Sequence, residues 1–259
     1  MWNEYFPKGA PKIKFDNVAY NKALESTNEK KVVYFPSCIT RSMGVTKRYS
    51  SEPVITAMTE KLLKKAGFEI IYPKDLNNLC CGMAFSSKGY VEAGKAASDR
   101  LENALKEASC NGKYPILCDM SPCLYTMHVN MDEKLKLYEP AQFFMEYVVP
   151  NLKITKTERK VAVFAVCSAK KLGVDNMLYD LAKLCSNNVV VIESNCCGFA
   201  GDRGFTYPEL NTHGLRHLKE QVSDCTEGYA TSRTCEIGLS RNSGVTFKSI
   251  LYLLDKVSE

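Results

Sequence analysis

No run of 18 apolar residues occurs anywhere in this 259-residue chain, so no membrane-spanning helix is expected. The opening MWNEYFPKGAPKIKF lacks the charged segment and apolar stretch of a secretory signal. Positive charge is scattered: 34 Lys+Arg against 29 Asp+Glu leave +5, with no basic block and no interleaved aromatic stripe, which gives nucleic-acid binding little support. Histidine is scarce. His128, His213 and His217 are the only three, and the four-residue spacing of the last two on an expected helix suits two metal ligands, although a solvated face is the plainer account. A reducing cytoplasm is therefore the expected compartment, with peripheral membrane association only through a partner.

Cysteine, by contrast, is plentiful. There are 12, in a chain otherwise of ordinary globular composition, 45% hydrophobic and 24% charged. A chain of this length buries roughly 70 to 75% of its unfolded surface and needs neither disulfides nor a metal to hold its core. Under reducing conditions such a surplus points to metal binding or redox chemistry.

Residues 1–30 are polar and weakly periodic, and they are expected to form an N-terminal arm or linker. From Lys31 the pattern alternates: KVVYF predicts a buried strand, EPVITAMTEKLLKKAGF an amphipathic helix and EIIYP the next strand. A long helix over GYVEAGKAASDRLENALKEAS, a strand at YPILCDM, a short strand at KLKLYE and a helix at AQFFMEYVVPNL follow. The sequence then starts again with strands at KVAVFAV, NVVVIES and GYATS, separated by helices near DNMLYDLAKLC and PELNTHGLRHLKEQV. The expectation is an α/β fold of two pseudo-equivalent tandem halves, residues 31–155 and 156–259, with mostly parallel sheets.

The cysteines keep the same rhythm. The first strand of each half runs to a cysteine, Cys38 or Cys167. The second runs into Cys-Cys-Gly, at Cys80, Cys81 and Gly82 or at Cys196, Cys197 and Gly198. The third is followed by Cys123 or Cys235 at the start of a helix-like segment. The intervening lengths differ between halves while the strand-end placement is kept. In parallel α/β sheets ligands sit beyond the carboxyl ends of the strands, so these eight cysteines form two candidate quartets. Four thiolates suit an iron–sulfur cluster, and equally a Cys₄ zinc site. Gly82 and Gly198 permit the positive φ that would bend backbone around an inorganic core, and Pro122 sets the approach to the helix after it. Lys170, Lys171 and Arg203 are candidates to offset cluster charge. Cys110, Cys185 and Cys225 have no partner in the repeat and are expected to be core residues. Cys118 ends its strand yet aligns with Ala230, which leaves its role as a ligand open.

The doubled Cys-Cys-Gly, with CDMSPC, CSAKKLGVD, SNCCGFAGDRGFTYPEL and TSRTCEIGLSRNSG, resembles the cysteine-rich CCG domain family over about residues 31–257. Within it the sequence is most similar to the C-terminal iron–sulfur region of FAD-linked D-lactate dehydrogenases. It also resembles the iron–sulfur subunit of glycolate oxidase and the corresponding subunit of heterodisulfide reductase. The resemblance implies a cytoplasmic electron-transfer module holding an iron–sulfur cluster, most simply [4Fe-4S], on Cys38, Cys80, Cys81, Cys123, Cys167, Cys196, Cys197 and Cys235. It also implies partners: a flavin dehydrogenase domain carrying the FAD, a ferredoxin-like iron–sulfur domain and a downstream acceptor. The sequence has no CxxCxxCxxxCP run and no flavin-binding segment, so it looks like a fragment or subunit. It departs from the heterodisulfide reductase pattern, which closes with CxxC: four residues separate Cys118 from Cys123, and Cys235 stands alone. Thiol–disulfide catalysis at the paired cysteines and a zinc-stabilised docking module remain the alternatives.

Overall fold

The computed structural model describes residues 4–259, so the first three residues of the N-terminal arm lie outside the described residues. Ten strands follow in chain order: β1 (Pro7–Gly9), β2 (Lys31–Phe35), β3 (Met43–Thr46), β4 (Glu69–Ile71), β5 (Ile116–Cys118), β6 (Leu137–Tyr138), β7 (Thr157–Val163), β8 (Ser186–Val191), β9 (Glu227–Ala230) and β10 (Phe247–Ser249). Two four-stranded sheets have the orders β4-β2-β5-β6 and β8-β7-β9-β10. Every pairing within them is parallel. Numbered within its own half, each sheet reads 2-1-3-4, so the expected duplication exists as topology. No helix among the described residues is long and apolar enough to cross a membrane.

Strand alternation explains how the halves meet, because successive side chains on a strand point to opposite faces. On β2, Val32 and Tyr34 enter a core that also takes Val161 and Val163 of β7. Val33 and Phe35 face a core whose buried members all come from the first half, and Ala162 and Phe164 one whose buried members all come from the second. Both sheets are thus buried on both faces, as parallel sheets require. The shared core is filled by helices from both halves, including Ile55–Lys65, Asp175–Cys185 and Ile250–Val257. Leu62 is fully buried there. Leu62→Ala is expected to cost about 2 to 5 kcal/mol. Because the core is common, denaturant unfolding should remain a single transition shifted to lower midpoint; two separated transitions would show independent halves.

The arm is docked. Asp16 caps helix Asn17–Glu25 by accepting from Val18 N at 2.9 Å and Ala19 N at 3.2 Å, and the helix buries Tyr20 and Ala23 in the first-half core. β1 pairs antiparallel with β3.

Two expectations need correcting. The helix expected over PELNTHGLRHLKEQV breaks into Pro208–Gly214 and Leu218–Gln221. Gly214, a poor helix former, lies against the paired-cysteine loop, where an added Cβ would stand 3.4 Å from Cys196 O. His213 and His217 therefore do not share a helix face, and both are exposed. The closing helix Ile250–Val257 has no counterpart in the expected pattern. Its unbroken apolar run from Ile250 to Leu254 is buried and its charged residues, Asp255 and Lys256, stand together near its end, so the run reads as readily as a short buried strand as it does a helix.

Two cysteine quartets at the join between the halves

Each quartet is assembled by three strand ends of one sheet. In the first half Cys38 opens helix Cys38–Ser42, whose start is capped by Ser37 Oγ accepting from Thr40 N at 3.2 Å. Cys80 and Cys81 lie in the loop after β4. Cys123 sits in the first turn of helix Ser121–Asn130, with Pro122 ahead of it. The thiols form a string of hydrogen bonds, Cys38 to Cys80, Cys80 to Cys81 and Cys81 to Cys123. The second half repeats the string as Cys167 to Cys196, Cys196 to Cys197 and Cys197 to Cys235, the last with sulfurs 3.0 Å apart. All eight candidate residues are thus brought together as two separate quartets.

The electrostatics also repeat. Hydrogen bonds from Cys38 and then Cys81 pull the Cys80 thiol far below its ordinary range, and Gly82 N adds a donor 3.4 Å from its sulfur. Cys196 is drawn down in the same way by Cys167 and then Cys197, with Gly198 N at 3.3 Å. The donors shift the other way: Cys38 and Cys167 are pushed up by the bonds they give to Cys80 and Cys196, and burial adds to this. One thiolate per quartet, at the first cysteine of the pair, is what this arrangement favours.

The glycine after each pair is obligatory. Gly82 has φ +86° and Gly198 φ +70°, a region that side-chain-bearing residues avoid. A Cβ would meet Gly94 O at 2.2 Å in the first case and Leu210 O at 2.5 Å in the second, and both carbonyls lie twelve residues downstream of their glycine.

The quartets lie to either side of a direct join. Lys88 Nζ reaches Asp202 at 2.7 Å, and Arg203 Nη2 donates to Ser87 O at 2.9 Å, so the segments following the two Cys-Cys-Gly motifs grip one another. Lys171, on the helix that Cys167 begins, lies over Tyr125, on the helix that carries Cys123, at 5.3 Å. Reciprocally Arg233, two residues before Cys235, donates to Gly44 O and Tyr49 OH just beyond the Cys38 helix, and pairs with buried Glu236 at 3.0 Å. Ser121 and Thr231 hydroxyls meet at 2.8 Å. Buried Asp119 accepts from Tyr34 OH and Ser37 N, both at 2.9 Å, and joins the loops that carry Cys38 and Cys123. Burial pushes its carboxyl up to about 6.

The halves differ in access. Cys167 and Cys196 are exposed, whereas Cys38 and Cys80 are half-buried. A cleft of about 370 Å³ opens beside Cys196, lined in part by Ser194, Asn195, Arg216 and His217. Of the remaining cysteines, Cys185 is buried and Cys225 half-buried, while Cys110 is a correction: it lies exposed at φ +51° in a turn. Its turn, Cys110–Asn111–Gly112, connects a helix to a strand over the surface. Cys118 is buried at the end of β5, gives its weak bond to Met120 O at 3.7 Å and stands outside the string. His128 is on the Cys123 helix, far along it, and burial holds it below its ordinary range.

Three residues of the site escape sequence reasoning. Asn211, fully buried, donates to Cys197 O at 2.5 Å. Asp119 and Arg41 hold the first-half loops. Only Arg41 carries a legible signal, since it stands three residues after Cys38 as Lys170 stands three after Cys167.

Strand-end cysteines in this order define a class. Residues 32–128 match the model of the cysteine-rich domain family, CCG. The chain is 23% identical over 186 residues to lactate utilization protein A of Oceanobacillus iheyensis, covering 66% of this chain and 75% of that protein. Among solved structures, an aspartate racemase homologue from Pyrococcus horikoshii aligns with TM-score 0.32 and 13% identity, over 86% of this chain and 95% of that one.

The chemistry of the donor set bears on the cluster that the family implies. Among the described residues no three or more His, Cys, Asp or Glu side chains converge on a single metal-ion position. The donor set is nonetheless all sulfur, one member of each quartet is favoured as thiolate, and glycine keeps the adjoining backbone free of side-chain bulk. Buried Ser168, next to Cys167, has a hydroxyl without a partner. These features fit a thiolate-ligated inorganic core.

Proposed function

We propose that the chain is an iron–sulfur electron-transfer module serving the oxidation of lactate or a related 2-hydroxy acid. Cys38, Cys80, Cys81 and Cys123 hold one cluster, and Cys167, Cys196, Cys197 and Cys235 the other. Electrons arrive from a flavin dehydrogenase partner through ferredoxin-like centres and leave to a downstream acceptor. The observation that carries this reading is the identical thiol string built twice on identical strand orders. The relative's name, lactate utilization protein A, supports the metabolic context.

A bound cluster supplies reversible one-electron chemistry. The chain's own residues do the rest. Cys38, Cys80, Cys81 and Cys123 in one half, and Cys167, Cys196, Cys197 and Cys235 in the other, would hold the cluster as thiolates. Gly82 and Gly198 amides, already aimed at Cys80 and Cys196 sulfur, donate to the ligand and favour the reduced state. Buried Cys81, Cys123, Cys197 and Cys235 close the inner side against water, and the exposed Cys167–Cys196 edge leaves the second quartet open to a partner. Anaerobic reconstitution should yield a coloured protein with iron and acid-labile sulfide and a paramagnetic resonance signal after reduction. A chain that stays colourless under those conditions would overturn the proposal, and zinc without iron would favour a docking module.

One observation favours a second reading, thiol–disulfide exchange. Cys196 is exposed, favoured as thiolate, and bonded to two further thiols. In that chemistry two protein thiols become a disulfide while an external disulfide takes up the two electrons and two protons to become two thiols. Stoichiometric oxidation of the metal-free chain by an external disulfide, with no uptake of iron, would establish it.

A further inference from the structure

Lys170 and Arg41 occupy matching positions, three residues after the cysteine that opens each quartet, and they make matching contacts. Arg41 Nη2 donates to Leu79 O, one residue before Cys80, while its Nε reaches Pro36 O at 3.0 Å. Lys170 Nζ donates to Ser194 O at 2.8 Å, two residues before Cys196. Each cation thus links the helix begun by the first cysteine to the loop that delivers the pair. The guanidinium and ammonium are different groups, so what the two halves keep is the positive charge and a main-chain carbonyl on the approach to the pair, one residue before it in the first half and two before it in the second. Arg41 acts electrostatically on Cys38, Cys80 and Cys123, and Lys170 on Cys196.

We propose that Arg41 and Lys170 are positioning residues, one per half, that tether the paired-cysteine loop and set the reduction potential of their own quartet through fixed positive charge. The potential part rests on the iron–sulfur reading above; the tether part does not. Positive charge beside a centre favours its reduced, more negative state, so removing the charge lowers the potential. The tether depends on donor geometry: arginine's fork spans two carbonyls, which one ammonium cannot do.

The test uses Arg41→Gln, Lys170→Gln and the charge-keeping Arg41→Lys. On the metal-free chain, hydrogen–deuterium exchange should accelerate several-fold at residues 76–82 in Arg41→Gln and at 192–198 in Lys170→Gln, each without effect on the other loop. On the reconstituted protein, a redox titration followed by paramagnetic resonance should show one of two midpoint potentials moving negative in each glutamine variant. Arg41→Lys should loosen its loop yet keep its potential, a split that a purely structural role would not produce. Unchanged exchange in both glutamine variants overturns the tether. Unchanged potentials, or equal shifts of both centres by either variant, overturn the electrostatic assignment. If the parent chain takes up no iron and sulfide, the iron–sulfur reading fails and the potential part falls with it, while the exchange measurement still decides the tether.

Discussion

Cys197→Ser should strip the reconstituted protein of about half its iron and acid-labile sulfide, and Cys81→Ser the other half, because on the proposed reading each quartet serves one cluster. Cys197 lies in the middle of its string, bonded to Cys196 on one side and Cys235 on the other, and is buried, so no neighbouring thiol or water is placed to substitute for it. The controls separate ligation from packing. Exposed Cys110→Ser should keep the full complement and change stability by no more than about 0.5 kcal/mol, whereas fully buried Cys185→Ser should keep the complement and cost about 1 to 3 kcal/mol. Metal analysis alongside denaturant unfolding reads both quantities. Equal iron loss in all four variants would dissolve the distinction between quartet and core cysteines.

Gly82→Ala and Gly198→Ala should each destabilise the metal-free chain by about 3 kcal/mol or more, since two penalties coincide at these sites. The left-handed backbone alone costs a residue with a Cβ about 1 to 2 kcal/mol. The new methyl would also press on main chain, at 2.2 Å from Gly94 O or 2.5 Å from Leu210 O, and a helix backbone cannot rotate aside as a side chain would. Gly173 and Gly244 provide the comparison, because both have positive φ, at +71° and +80°, with nothing within 4 Å of the added methyl. Alanine there should cost only the backbone share. Unfolding midpoints of the four variants test the difference, and a common value would mean that the close approach behind the paired cysteines carries no energy.

Much of the fold was legible because its signals are local. The apolar runs of β2 and β7 mark strands buried on both faces, and Val91–Ala108 and Asp175–Cys185 show the one-sided spacing of surface helices. The elements that escaped lack a local signature. β1 and β10 are three residues each, and Ile250–Val257 opens on an unbroken apolar run, Ile250 to Leu254, whose pattern does not separate a short helix from a buried strand. The break at Gly214 comes from contact with a loop some 18 residues earlier, which helical periodicity cannot register.

The same divide runs through the site. Sequence by itself determined that eight cysteines fall at equivalent strand ends, that glycine follows each pair, and that a cation stands three residues beyond each opening cysteine. These are matters of spacing along one chain, and parallel βα connectivity turns spacing into grouping. Only the tertiary structure decided which thiol bonds which, that the quartets adjoin through Lys88–Asp202 and the Arg233 bonds to Gly44 and Tyr49, and that the second is the more exposed. Hydrophobic pattern tells a strand which face to bury, but not against what. Here the partner is the other half, whose docking depends on contacts between residues up to 199 positions apart.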